Sequence, residues 1–281
     1  LAAISILTTF GILFSILFEA IEFFKLRSFW YFITGTTWSP GVIGSQFGAL
    51  PIFAGTFVIT IIALGVAIPI GLGSAIYMSE YASPKVRDYL KPLLEILAGI
   101  PSVVYGFFAA ITVAPLVVKA AEMVGLEATF NSALASGIVM GIMIIPFILS
   151  LTEDALTSVP GALKDGALAL GSTKSEMIKK VVLPSAMPSI VGAIILALSR
   201  AIGETMIVAM AAGLVAKLTI NPFDSVTTAT AQIVTLLVGD QEFNSPKTLA
   251  AFALALTLFV TTFIFNIIAL AVIKNFKKKY G

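Results

Sequence analysis

The 281-residue sequence contains no cysteine and no histidine. Disulfides, thiolate metal sites and imidazole acid–base chemistry are therefore excluded. Charge is scarce too: 11% of residues are charged and 58% are hydrophobic, whereas a soluble domain carries about a quarter charged residues. That deficit puts the chain in a membrane. The net charge of +2 is too small to imply a nucleic-acid partner. The phosphate-cradling pattern G-x-x-x-x-G-K-[ST] is missing, so any work driven by ATP must come from another chain. Ser102 and Tyr105 have no base nearby in sequence, and the scattered carboxylates form no pair. The sequence thus presents no catalytic constellation and no metal-ligand set, and is not read as an enzyme.

What the chain does have is long apolar runs. A membrane span needs ~20 mostly apolar residues. Six runs qualify: roughly Ala3–Phe24, Phe53–Met78, Pro92–Val118, Ser132–Leu151, Ala186–Gly213 and Leu249–Ile273. They lack period-2 alternation, which disfavours a β-barrel. The expected fold is all-α and polytopic, one transmembrane domain over residues 1–281 with its core at about 53–273. Leu1 opens inside an apolar run, so residues are expected to precede it. No small-residue cleavage signature marks that run as a signal peptide. In the second run, Gly65, Gly71 and Gly73 predict close helix–helix contact.

Lysine and arginine placement gives the orientation. One set of loops holds Lys85, Arg87, Lys91, Lys164, Lys174, Lys179, Lys180, Lys274, Lys277, Lys278 and Lys279, eleven in all. The other holds five: Lys25, Arg27, Lys119, Lys217 and Lys247. The first set is expected in the cytoplasm, together with the C-terminus. The loops on the other side, about 25–50 and 214–248, are long. Trp30 and Trp38 there read as interface anchors, or as part of a docking surface for an external partner. The second of these loops carries Asp224, Asp240 and Glu242 among turn residues and reads as acidic.

One polar stretch interrupts the apolar pattern: Asp165 to Pro184, reading DGALALGSTKSEMIKKVVLP. Pro160 is pre-set for a helix start, and Leu163, Ala167 and Leu170 recur at helical spacing. Gly171 supplies a stop, because glycine takes the left-handed cap without penalty. Thr173 and Glu176 are spaced as a capping box. Met177, Ile178, Val181 and Val182 then give an apolar face, and Pro184 is expected to end the second helix. By spacing alone this reads as an amphipathic hairpin lying on the lipid surface.

Two further features remain. Gly99 to Gly106 (GIPSVVYG) places Pro101 and two glycines in the third run, which predicts either a packing kink or a broken helix aimed at an anion. Arg200 and Glu204 lie in the fifth run, one helical turn apart. They fall on one helical stripe with Ala193, Ala197, Val208 and Ala211. They could neutralise each other as a brace, or Arg200 could offer its planar fork to a passing oxyanion.

The order of residues in the polar stretch resembles the EAA loop of ABC importer permeases. Asp165, Gly166 and Ala167 stand for the first three positions, Gly171 for the glycine six residues on, and Val181, Val182, Leu183 and Pro184 for the hydrophobic-x-Leu-Pro ending. The departures are Asp for Glu and Gly for the first Ala. Phe47 to Pro51 (FGALP), Ser79 to Ala82 (SEYA), Glu95 to Gly106 and Arg200 to Met206 resemble the phosphate-importing branch, nearer its C-type than its A-type subunit. The resemblance implies an ABC importer permease fold whose loop, about 153–185, docks on a cytoplasmic ATPase. It also implies a second homologous permease, two ATP-binding subunits that hold ATP and Mg, and an extracytoplasmic phosphate-binding protein. The implied location is a bacterial or archaeal inner membrane. Asp165, Gly166, Ala167, Gly171, Val181, Leu183 and Pro184 are the coupling residues it implies; Arg200, Glu204, Ser102 and Tyr105 are the pathway residues expected. The competing readings are an ion-coupled oxyanion transporter with Glu204 as proton carrier, a permease for sulfate or molybdate, and a channel-like subunit.

Overall fold

The computed structural model describes residues 2–41, 45–238 and 245–280. Helix α1 (Ala2–Leu26) and the short α2 (Phe29–Thr34) lead to a two-stranded ladder, in which Trp38 of β1 (Trp38–Ser39) pairs antiparallel with Phe47 of β2 (Gln46–Phe47). Then come α3 (Leu50–Ile76), α4 (Pro84–Gly99), α5 (Ser102–Phe108), α6 (Ala114–Met123) and α7 (Ala133–Thr157). The polar stretch supplies α8 (Gly161–Ala169) and α9 (Lys174–Met177). The chain continues through α10 (Leu183–Ile202), α11 (Met206–Ala211) and α12 (Ala229–Leu237) to α13 (Pro246–Tyr280).

Three five-residue π turns, Tyr77–Tyr81, Ala109–Val113 and Ile178–Val182, extend neighbouring helices among the described residues. Each is followed within three residues by a proline: Pro84, Pro115 and Pro184. Proline cannot donate to the carbonyl four residues back. The first turn ends its helix, with the Ala82 amide on the Tyr77 carbonyl and Pro84 opening α4. Ahead of Pro115 and Pro184 the wider turn instead resets the ladder, so that Ala114 and Leu183 donate five residues back, to Ala109 and Ile178, and the helix runs on. For this reason Pro184 does not end the second loop helix, as its sequence position predicts. That helix runs on into α10, and the apolar span is Lys174–Ile202.

Among the described residues, six stretches are long and apolar enough to cross a membrane: Ile4–Leu26, Leu50–Tyr81, Ser102–Met123, Ala133–Thr157, Lys174–Ile202 and Pro246–Lys274. Their polar backbone is satisfied within the helix, as lipid requires. Four agree with the expected runs to within a few residues. The third departs because Pro92 to Gly99 belong to α4, an amphipathic helix with no buried residue. GIPSVVYG is thus not mid-helix: the break falls at Ile100-Pro101, between α4 and α5. The fifth departs at both ends, since the helix begins before Pro184 and stops at Ile202.

The chain forms two compact units. One comprises Leu1–Ile59, Gly106–Ser136 and Ile202–Phe263. Its core gathers Phe23, Phe32, Trp38 and Phe47 edge to face, with Leu236, Leu249 and Leu254. Trp38 is therefore a core residue and not the exposed anchor expected; Trp30 is exposed. In this unit Asp224 accepts from Lys217 and Thr219. Asp240 and Glu242 lie outside the described residues.

The other unit comprises Thr60–Tyr105, Gly137–Ala201 and Ile264–Gly281. Here α3 crosses α7 with one glycine from each: a methyl on Gly71 would meet Ile148, and one on Gly141 would come 2.8 Å from the Ala63 carbonyl oxygen. Gly65 and Gly73, expected to share that role, face open space. A second apolar cluster joins Ala75 and Met78 to Leu149, Leu156, Val159, Met177, Ile178, Val182 and Ile190.

Candidate functional site

The polar stretch folds as two helices meeting at a fixed angle. Pro160 caps α8 and Gly171 closes it with φ +84°. The Gly171 amide donates to the Leu168 carbonyl at 2.9 Å and the Ser172 amide to Ala167 at 3.2 Å, a Schellman closure that satisfies the last helical carbonyls. Two residues on, the Thr173 hydroxyl accepts from the Glu176 amide, while the Glu176 carboxylate accepts from the Thr173 amide. The second helix buries Met177, Ile178 and Val182 in the apolar cluster, with Val181, Leu183 and Pro184 half-buried. The outer side of α8 is open: Asp165 and Gly166 are exposed, as are Leu163, Leu168 and, at 89%, Leu170. Ala167 alone of the first three motif positions packs inward.

In the same unit a cavity of about 310 Å³ opens beside Arg200. Helix α4 supplies Lys91, Leu94, Glu95 and Ala98, which fall on one helical face. Helix α7 supplies Met143, Pro146, Phe147, Ser150, Glu153 and Asp154. The Arg200 guanidinium lies 5.8 Å from the centre of the Phe147 ring, a cation–π arrangement that holds the fork without consuming its hydrogen-bond donors. Lys91 pairs with the buried Glu153 at 3.3 Å.

Glu204 is placed otherwise than the stripe expected. The helix carrying Arg200 ends at Ile202, and Glu204 caps the next one, its Oε1 accepting from the amides of Met206 (3.0 Å) and Ile207 (3.3 Å). The carboxylate replaces the carbonyl acceptors that a continuous helix would offer, which is why the helix can stop at Gly203. Arg200 and Glu204 belong to different units, and the stripe from Ala193 to Ala211 is interrupted. Tyr105 is buried, its hydroxyl donating to the Leu97 carbonyl at 2.9 Å. It thereby satisfies the last turn of α4 across the Ile100-Pro101 break. Ser102 opens α5, half-buried.

Sequence reading missed Lys91, Glu95, Glu153 and Asp154 as neighbours of Arg200. Only the spacing of Lys91, Leu94, Glu95 and Ala98 could have shown an α4 face. It also missed a pair linking the SEYA segment to the loop, Glu80 with Lys164, whose members are 84 residues apart.

Residues 67–278 match the family described as "Binding-protein-dependent transport system inner membrane component". Among relatives, "Probable ABC transporter permease protein YqgH" of Bacillus subtilis is 36% identical over 234 residues, covering 83% of this chain and 74% of that protein. "Phosphate transport system permease protein PstC" of Mesorhizobium japonicum is 36% identical over 256 residues, covering 85% and 76%. PstC 1 of Mycobacterium tuberculosis is 34% identical over 278 residues, covering 87% and 82%. The fold is shared with solved ABC transporters: a bacterial alginate transporter in complex with an alginate-bound periplasmic protein (TM-score 0.65, 15% identity, 95% of this chain and 91% of that one) and the inward-facing MetNI methionine transporter (TM-score 0.57, 16% identity, 82% and 94%). The chain is a multi-pass membrane protein that belongs to the binding-protein-dependent transport family, as an ABC transporter permease subunit.

Proposed function

We propose that this permease imports inorganic phosphate, with a second permease, two ATP-binding subunits and an extracytoplasmic phosphate-binding protein. The observation that carries the substrate is Arg200 at the Lys91–Glu153 cavity, in a chain more than 30% identical to phosphate permeases over most of its length. Arginine's planar donors suit tetrahedral oxyanions. Stacking on Phe147 leaves those donors open to a ligand. In this reading Arg200 neutralises phosphate in passage, Glu204 fixes the backbone that follows it, and Ser102 and Tyr105 hold the α4–α5 break beside the path. The two-helix loop at 161–182 docks in the cytoplasm on the ATPase, presenting Asp165, Leu163 and Leu170. The excess of lysine and arginine on that side supports the orientation.

The test is uptake of labelled phosphate into proteoliposomes holding the whole complex, with sulfate and molybdate as competitors. Uptake should require ATP and the ATPase subunits, and Arg200→Gln should lower it at least tenfold while the complex still assembles. Uptake driven by an ion gradient without the ATPase would overturn the reading in favour of a secondary transporter. Preferential uptake of sulfate or molybdate would keep the permease role and overturn the substrate.

A further inference from the structure

The SEYA segment forms the π turn that ends the second span, and it grips both helices of the loop. Glu80 is almost enclosed, its side chain 6% exposed, and it receives the Lys164 ammonium of α8 at 2.6 Å. The Ser79 hydroxyl donates to the same carboxylate oxygen at 3.1 Å, and the Arg87 guanidinium donates to the Ser79 carbonyl. Next to it, Tyr81 carries the Lys174 ammonium of α9 over its ring, 4.8 Å from the centre. Lys164 and Lys174 lie on opposite sides of Gly171, one on each loop helix. Beneath them Met78 packs in the cluster that holds Met177 and Ile178.

This arrangement is more than a surface contact. A pair at 2.6 Å with a buried carboxylate is short and charge-assisted. Removing one member strands the other where water cannot compensate it. Pairs on the exposed side of the loop, such as Glu176 with Lys180, are open to solvent and constrain little. The apolar cluster holds α9 against α3, but α8 has no buried residue of its own. Its angle about Gly171 is therefore set by the Glu80–Lys164 pair and the inward packing of Ala167.

We propose that Glu80 is a positioning residue for coupling, its pair with Lys164 latching the first loop helix to the end of the second span so that displacement of the loop is transmitted to that span. The proposal rests on the docking role given to the loop above. Tyr81 with Lys174 is the matching contact for the second helix. When the docked partner shifts the loop, a rigid latch carries α3 with it; without the latch, α8 swings about Gly171 and the motion is lost locally.

Two measurements on the full complex test this. The first is the distance distribution between spin labels at Leu168 on α8 and Gly73 on α3, in the complex with its native residues at 80 and 164 and in variants. Glu80→Gln and Lys164→Met should broaden it, whereas Lys164→Arg should keep it narrow. The second is phosphate imported per ATP hydrolysed in proteoliposomes. It should fall at least fivefold in Glu80→Gln and Lys164→Met with basal hydrolysis retained. It should stay near the parent value in Lys164→Arg and recover at least partly in the exchange Glu80→Lys with Lys164→Glu. A simple loss of folding would lower assembly and hydrolysis together and would not be rescued by exchange; that result overturns the proposal. Unchanged distances and an unchanged ratio overturn it while leaving the import reading intact. Broadened distances in a parent complex that imports no phosphate with ATP would overturn the import reading and with it the coupling role of the latch.

Discussion

The Glu204 carboxylate lies 3.0 Å from the amide nitrogen of Met206, capping the start of a helix to which Arg200 does not belong. A residue read as a membrane charge is thus also a cap, and its acceptor oxygen does the capping. Glutamine keeps that oxygen; alanine does not. Glu204→Gln should leave thermal stability in detergent within about 0.5 kcal/mol of the parent, and Glu204→Ala should lower it by about 1 kcal/mol, the usual cost of a lost cap. Equal losses in both would show that charge, and not the acceptor, matters at this position.

Gly171 is the second backbone point to test. Its φ of +84° is left-handed, yet a methyl group there would meet nothing within 4 Å. The penalty for a side chain is therefore conformational and not steric. Gly171→Ala should cost about 1 kcal/mol, Gly171→Asn less, and neither should disturb membrane insertion. Protease sensitivity at Ser172 and Thr173 should rise in the alanine variant and much less in the asparagine variant. Equal sensitivity in both would mean that α8 does not depend on this cap.

The loop motif shows which parts of the structure were legible. Helix starts and stops made by local chemistry, at Pro160, Gly171 and the Thr173–Glu176 box, could be read because donor and acceptor are a few residues apart. The six apolar runs were legible for a similar reason: length and composition are local. Three features were not. Pro184 looked like a terminator because the compensating π turn leaves no sequence mark. The end of α10 was hidden because Glu204 acts through a side-chain oxygen inside an apolar run. The cavity beside Arg200 joins α4, α7 and α10, whose approach is set by tertiary packing and by the glycine crossing at Gly71 and Gly141.

Asp224 gives a pH dependence outside the spans. Lys217 at 2.9 Å, and then Thr219 at 2.6 Å, donate to its carboxylate and hold its pKa below the ordinary aspartate value. A carboxyl whose folded pKa is lowered stabilises above its unfolded pKa, about 3.9, and that contribution is lost as pH falls through the folded value. Hydrogen exchange of the amides from Thr219 to Ser225 should therefore be steady in its protection above about pH 5 and lose protection below about pH 4. Asp224→Asn should show weaker protection throughout and no such step. A step that persists in the asparagine variant would assign it to another group.

The last prediction concerns an asymmetry in the Lys91–Glu153 pair. The two nitrogen and oxygen atoms lie 3.3 Å apart, but the Lys91 side chain is 53% exposed and that of Glu153 only 7%. Losing the carboxylate leaves an ammonium that water can reach, so Glu153→Gln should cost about 0–1 kcal/mol, as for surface pairs. Losing the ammonium leaves a carboxylate enclosed by α7 without its partner. Lys91→Met should therefore cost on the order of 2 kcal/mol, below the full penalty for a wholly buried pair because one side remains wet. The double variant removes the stranded charge and should recover most of the Lys91→Met loss, giving a coupling of about 1 kcal/mol or more in a thermal-unfolding cycle. The cycle also bears on transport, because both residues line the cavity that holds Arg200. If Lys91 serves only to neutralise Glu153, the double variant should import phosphate at the parent rate. If Lys91 also meets the anion, stability should return in the double variant and uptake should not. Additive stability effects, with Lys91→Met no costlier than Glu153→Gln, would show that Glu153 is solvated and that the pair does not hold α4 in place.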